Sequence, residues 1–190
     1  GNILNADCIK RDLEEEGSIF QTASDAEALA HLLKKEKGIF LERLRRSLSH
    51  LQGAYAFVLL LENELYVALD ENGLRPLSIG KLGNSYVVSS ETCAFLIIGA
   101  DFIRDVLPGE IIKIDDNGIT SLFFAEGKTY HMCAMEYVYF SRPDSDLLHA
   151  NVHSARKRCG IELAKESPVS ADIVIGVPDS GLSSASGYAE

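Results

Sequence analysis

Apolar positions recur along the first fifty residues at three- and four-residue steps, the period of helices that bury one face. Asn5 is placed to cap a helix running through Leu13 to about Glu16, and Gly17 supplies the left-handed stop such helices take. A short strand is expected over Ser18 to Thr22. Ser24 and Glu27 then form an S-x-x-E pattern just before Ala28-Leu29-Ala30-His31-Leu32-Leu33, the signature of a reciprocal capping box. A second helix should therefore start at Ser24 or Asp25 and end at Gly38. Phe40, Leu44, Leu48 and Leu51 place one apolar stripe on a third helix, with Arg43, Arg45 and Arg46 on its polar face.

After Gly53 the period changes. Ala54 to Leu61 is a continuous apolar run rich in strand formers, which predicts a buried central strand. Glu62-Asn63-Glu64 turns it into Leu65 to Leu69, and Asn72-Gly73 and Gly83-Asn84 punctuate two further strands, Pro76 to Gly80 and Ser85 to Ser89, in an antiparallel meander. Glu91 to Ile98 reads as a short helix capped by Ser90, and Val106 to Ile114 with Ile119 to Phe124 as a hairpin across Asn117-Gly118. Beyond Lys128 the pattern shifts once more, which puts a boundary near residue 130. Asn151 to Glu166 has helical spacing with Arg156, Lys157 and Arg158 outward. Asp172 to Val177 reads as a β-branched strand leading through Pro178-Asp179-Ser180-Gly181 into a helix of small residues. The expected fold is a layered α+β domain over residues 1–130, followed by the start of an α/β domain over 131–190.

Composition narrows the function classes. The 190 residues are 46% hydrophobic and 24% charged, and 28 Asp and Glu against 18 Lys and Arg leave a formal charge of −10. Nucleic-acid binding needs clustered basic residues to displace counterions, so nucleic acid is not an expected partner. No run approaches the ~18 apolar residues of a membrane span and no signal peptide opens the chain, so no membrane partner and a cytoplasmic location are expected. Cys8, Cys93, Cys133 and Cys159 form no CxxC pair, and reduced thiols follow. The absence of an initiator Met before Gly1 and the halt within a helix at Glu190 suggest an internal piece of a longer enzyme.

Three places carry candidate chemistry. At Pro178 to Gly181, unpaired N–H groups at a helix start favour an anion; Ser180 adds a hydroxyl and Asp179 a carboxylate suited to a hydrated Mg²⁺. An ordinary turn with Asp or Ser capping the next helix explains the same residues. Asp25 stands in a first helical turn, where capping is the simplest role. Arg75-Pro76 beside Gly73 reads as a turn with a surface ion pair. His131 and Cys133 lie two apart but have no second pair, so zinc is not expected.

At the level of these residues the chain resembles the glutamine phosphoribosylpyrophosphate amidotransferases (amidophosphoribosyltransferases) of purine biosynthesis. The resemblance rests on ordered blocks along the whole length, among them Gly1-Asn2-Ile3-Leu4-Asn5, Thr22-Ala23-Ser24-Asp25-Ala26-Glu27, Gly73-Leu74-Arg75-Pro76-Leu77 and Ser90-Glu91-Thr92. Later blocks are Arg104 to Glu110, Glu136 to Ser145, Asn151 to Arg156 and Gly176 to Gly181. It implies a partial N-terminal-nucleophile glutaminase domain and the beginning of a type I phosphoribosyltransferase domain. In that family an N-terminal Cys attacks glutamine, and the released ammonia displaces pyrophosphate from phosphoribosyl pyrophosphate to give 5-phosphoribosylamine. By position, Gly1 resembles the glycine that, with a preceding Asn, donates to the oxyanion, and Asp25 the carboxylate holding the α-ammonium of glutamine. Asp179, Ser180 and Gly181 fall in the segment resembling the pyrophosphate loop, Ser180 matches a Mg²⁺-associated residue, and Cys133 matches a ligand of the [4Fe–4S] cluster of part of the family. Purine nucleotides as feedback inhibitors and a homo-oligomer are implied with it.

The chain departs from that pattern in three ways: the nucleophilic Cys, the glutamine-carboxylate arginine and the acidic ribose-phosphate loop are not in it. An oxyanion donor acts only when a nucleophile attacks, so the 190 residues alone are expected to be inactive. Two alternatives remain at this level: a non-catalytic nucleotide-sensing or phosphate-binding module, and a sister glutaminase aminating another acceptor.

Overall fold

The computed structural model describes residues 1–190. In chain order the elements are β1 (Asn2–Ile3), α1 (Ala6–Glu15), α2 (Ala26–Lys35), α3 (Phe40–Ser49), β2 (Gly53–Ala54), β3 (Ala56–Leu60), β4 (Leu65–Leu69), β5 (Ser78–Leu82), β6 (Ser85–Ser89), α4 (Cys93–Ile98), β7 (Asp101–Asp105), β8 (Glu110–Asp115), β9 (Gly118–Phe123), a π-helical turn (Glu136–Phe140), β10 (Asp146–Leu147), β11 (Ala150–Asn151), α5 (Val152–Glu166) and α6 (Gly181–Ala189). The fold is mixed α/β with antiparallel sheets throughout. No helix is long and apolar enough to cross a membrane. The chain forms two compact units, Gly1–Arg75 with Val106–His131, and Pro76–Asp105 with Met132–Glu190.

In the first unit the helical stripes do what their spacing dictates. Leu29 and Leu33 of α2 and Leu44 and Leu48 of α3 are buried with Ile3, Tyr55, Tyr66, Ala68 and Ile111 against a four-stranded sheet of order β3-β4-β8-β9. Each such leucine withdrawn from water contributes roughly 1.5–3 kcal/mol. The run at 54–61 is not the central strand: β3 is an edge, with Phe57 and Leu59 packed inward while Val58 is 54% and Leu60 81% exposed. The strands flanked on both sides are β4 and β8, and in β4 Tyr66 to Leu69 are all buried. Ser18 to Thr22 forms no strand. The hairpin across Asn117-Gly118 is present as β8–β9, in register from Glu110↔Phe123 to Asp115↔Gly118, although its first strand starts at Glu110 rather than Val106.

The second unit holds a separate three-stranded sheet, β6-β5-β7, so the expected single meander is two sheets. Strand β5 starts at Ser78, and β7 takes residues that carry no turn signal. Helix α4 begins at Cys93 with Thr92, not Ser90, in the cap position, and closes on Gly99 at φ 72°. Helix α5 is capped by Asn151, whose side-chain oxygen accepts from Ser154 N at 3.1 Å. Arg156 is not outward: it is 4% exposed, donating Nε to the Tyr137 carbonyl at 2.6 Å and Nη2 to the Ser141 carbonyl at 2.7 Å. Helices α5 and α6 meet at glycines. A Cβ on Gly160 would overlap the Ser184 carbonyl, and one on Gly187 the Lys157 carbonyl. Residues 172–177 form no strand, because no other segment of the chain offers them a ladder; Ile173, Ile175 and Val177 are 75–85% exposed. The expected strand-loop-helix unit is thus a loop and a helix here.

Candidate active site

Asp25 ends the irregular loop that leads into α2. Its Oδ2 accepts the N–H of Ile3 at 2.8 Å, which ties a half-buried carboxylate to β1 two residues from Gly1. Strand β1 in turn pairs with β2, Asn2 opposite Ala54 and Ile3 opposite Gly53, and Leu4 N donates to Gln52 O at 2.7 Å. A Cβ on Gly1 would overlap the Ala54 carbonyl, so the backbone at this end of β1 approaches β2 as only glycine can. The two residues singled out from sequence, Gly1 and Asp25, are therefore brought together by β1. The capping role of Asp25 is not observed: its backbone is already helical and its side chain makes no cap hydrogen bond.

The capping box is also displaced. Glu27 does not reach the Ser24 amide. Its Oε1 accepts from Gln21 N at 2.8 Å, and its Oε2 accepts from Thr22 N at 2.8 Å and from the Thr22 hydroxyl at 2.6 Å. The Thr22 Oγ1 itself accepts from Ser24 N at 3.2 Å. Chiefly the Thr22 hydroxyl, and then the Gln21 amide, hold the Glu27 carboxyl down at about 2, and the nearby His31 adds to this. The His31 ring lies 4.3 Å from that of Phe20.

Asp70 escaped sequence reading although it organises the Gly73-Leu74-Arg75-Pro76 turn. It is fully buried and accepts from Tyr55 N at 3.2 Å, Asn72 N at 2.9 Å and Leu74 N at 3.3 Å. Burial raises its carboxyl pKa and these amides oppose the rise. The D-x-N-G pattern was the available signal, since Asp folds such turns onto its own side chain. Gly73 sits at φ 58°, and a Cβ there would come within 2.7 Å of the Tyr130 ring.

In the second unit Asp179 and Ser180 open α6. The Pro178–Asp179 peptide is cis, Gly181 N donates to Val177 O at 3.0 Å, and Ser180 makes no side-chain cap bond. Asp179 is exposed and Ser180 half-buried at a cleft of about 700 Å³ whose lining includes Ser141, Arg142, Arg156 and Ser183. Arg142 is held in a two-point pair with Asp144 at 3.0 and 2.8 Å. A carboxylate and the Ser180 and Ser183 hydroxyls around one cleft, with the Asp144-paired Arg142 beside them, suit a phosphate-bearing ligand with a hydrated divalent cation, to which Asp179 and Ser180 would present oxygens. Cys133 is half-buried, and no three His, Cys, Asp or Glu side chains converge on a metal position anywhere in the chain. A [4Fe–4S] centre takes four thiolates, so these residues do not fit one by themselves.

Residues 1–97 match a family model described as a glutamine amidotransferase domain. Over its whole length the chain is 56% identical to the amidophosphoribosyltransferase of Bacillus subtilis (strain 168) and 46% to that of Staphylococcus aureus (strain N315), covering 40% and 39% of those proteins. Among solved structures it superposes with a TM-score of 0.97 on glutamine phosphoribosylpyrophosphate amidotransferase from B. subtilis complexed with ADP and GMP. There the identity is 54%, over 99% of this chain and 42% of that one. A structure described as the allosteric regulatory enzyme of purine biosynthesis gives the same TM-score and identity, with 41% of that chain covered. The chain thus spans about 40% of the length of the relatives it matches.

Proposed function

The chain belongs to the glutamine amidotransferase family, and from this we propose that it is part of an amidophosphoribosyltransferase that makes 5-phosphoribosylamine from glutamine and phosphoribosyl pyrophosphate, the first committed step of purine biosynthesis. Residues 1–130 belong to the glutaminase and residues 131–190 begin the type I phosphoribosyltransferase domain. The single observation that carries the reading is the tether of Asp25 to Ile3 N, beside a Gly1 that tolerates no side chain. A carboxylate for an α-ammonium and a backbone N–H for a developing oxyanion then share one short strand. The attacking thiol comes from outside these residues. Asp25 binds and orients glutamine through its charge, and the Gly1 N–H stabilises the oxyanion as the amide carbonyl is attacked.

In the second domain Asp179, Ser180 and Gly181 take the pyrophosphate end of the co-substrate. Asp179 and Ser180 would hold a hydrated Mg²⁺ there, which would supply positive charge to the phosphate oxygens. Cys133 contributes at most one ligand to a cluster completed from elsewhere in the longer chain. Purine nucleotides act as feedback ligands, as the ADP and GMP bound to the B. subtilis relative suggest, and the enzyme works in the cytoplasm as a homo-oligomer.

The test is Asp25→Asn in the full-length enzyme. Asn keeps an oxygen for Ile3 N, so the tether survives while the charge goes. A hydrogen bond to a charged group is worth roughly 1.5–3 kcal/mol, so glutamine-dependent synthesis should lose about 10- to 150-fold in kcat/KM while synthesis from free ammonia stays near wild type. Equal loss with both nitrogen sources would refute the assignment.

A further inference from the structure

We propose that Glu27 and Thr22 are positioning residues for Asp25, a clamp that fixes the path of the loop presenting its carboxylate to the substrate ammonium; this rests on the reading of Asp25 given above. Residues 18–24 have no regular structure of their own, and loops of this kind move unless something holds them. Here one carboxylate holds them. Glu27, in the first turn of α2, gathers Gln21 N, Thr22 N and the Thr22 hydroxyl at 2.6–2.8 Å. The Thr22 hydroxyl then uses its lone pair to accept Ser24 N at 3.2 Å. The clamp therefore runs from Gln21 to Ser24, and Asp25 is the next residue. Lys10 adds a further point, donating Nζ to Ala23 O at 3.1 Å. Asp25 itself has one tether, Ile3 N on one oxygen, so the placing of its carboxylate depends on the course of the four residues before it.

The chemistry explains the residue types. Glu27 meets three donors and has no need to donate. Gln in its place would turn an NH₂ toward an N–H. Thr22 donates and accepts at once, which a hydroxyl does and a methyl cannot. The groups facing Glu27 include one further titratable side chain, His31, with Nε2 at 3.7 Å. This clamp touches no substrate atom. Its effect is confined to where Asp25 lies, and displacements of about 1 Å in such positioning cost up to about 100-fold in rate.

The experiment uses the full-length enzyme and compares Glu27→Gln, Thr22→Val and Thr22→Ser with Asp25→Asn, measuring KM and kcat with glutamine and with ammonia. Expected for Glu27→Gln and Thr22→Val is a rise of about tenfold or more in glutamine KM, with ammonia-dependent kcat within about twofold of wild type. Thr22→Ser, which keeps the hydroxyl, should restore most of the glutamine KM. In a double-mutant cycle Glu27→Gln should add less than about twofold to Asp25→Asn, because the group it positions has lost its charge. The clamp is overturned if Asp25→Asn impairs glutamine use while Glu27→Gln and Thr22→Val leave glutamine KM unchanged. It is equally overturned if Thr22→Ser and Thr22→Val behave alike, or if ammonia and glutamine activities fall together. An Asp25→Asn enzyme with unaltered glutamine kinetics would remove the reading of Asp25 itself, and the clamp with it.

Discussion

Arg156→Met isolates the contribution of one buried guanidinium. Arg156 donates to the carbonyls of Tyr137 and Ser141, which belong to the π-helical turn and the residue that follows it. Methionine keeps most of the length and apolar volume of the stem and removes every donor. Two carbonyls then lose their partner, at about 1–3 kcal/mol each. Relief of the guanidinium's own desolvation offsets part of that, so the lower part of the range, about 2–3 kcal/mol, is the expected net loss for this segment. Since 1.4 kcal/mol is a factor of ten, amide protection over residues 136–145 should fall by about 30- to 150-fold. The informative amides are Ser141, bonded to Glu136 O at 3.1 Å, and Ser145, bonded to Arg142 O at 3.1 Å. Hydrogen exchange on the full-length protein, read by mass spectrometry over peptides 134–147, measures it, with β4 and β8 as internal reference. A change under about threefold at these amides would show that the guanidinium's desolvation cancels its bonds. Equal loss in the reference strands would show that the effect is not local. Arg156→Lys should fall between, one ammonium replacing a fork that reaches two carbonyls.

Gly160→Ala is expected to lower the melting temperature although alanine is favoured over glycine in helices by about 1 kcal/mol. Its methyl group meets the Ser184 carbonyl, and overpacking of this kind costs about 1–3 kcal/mol; a raised melting temperature would contradict the close helix contact. The Glu27 carboxyl, held at about 2 against its ordinary 4.5, lends stability that is complete above pH 4.5 and lost as pH falls toward 2. A carboxyl NMR titration should place its midpoint near 2, with the Gln21 and Thr22 amides freed over the same interval, and a midpoint at 4.5 would contradict the hydrogen bonds assigned to it.

Legibility in the sequence followed the range of the interactions. The stripes of α2 and α3 and the Asn117-Gly118 turn are local patterns, and each appears where its spacing puts it. Strand order is not local. Nothing in Ala54 to Leu61 distinguishes an edge from a centre, because the burial of Val58 and Leu60 depends on whether a partner arrives, and the partner β8 arrives at β4 instead. Arg156 was misplaced for a related reason. Its charge argued for solvent, while the carbonyls that receive it belong to a π-helical turn that no periodicity announces. At the site, motif residues Gly1 and Asp25 were identifiable by resemblance, but the Glu27 clamp was not. The S-x-x-E spacing gave the right carboxylate and the wrong donors, since a capping box and a loop clamp share that spacing. Asp70 was hidden within a turn signal that accounts for it equally well as a surface residue.

The β4–β8 pairing also bears on synthesis. Forty residues, 70–109, leave the sheet after β4 and return as β8, and their ends are joined where Gly109 N meets Asp70 O at 3.0 Å. A ribosome adding about 5–20 residues per second needs roughly 2–8 s for that excursion. Between the emergence of β4 from the ribosome and that of β8, the second edge of β4, with Tyr66, Val67 and Ala68, has no strand to pair with. For those seconds the nascent chain presents an open apolar edge of the kind that chaperones and neighbouring chains bind. A central strand of the finished sheet is thus the exposed strand of the growing one.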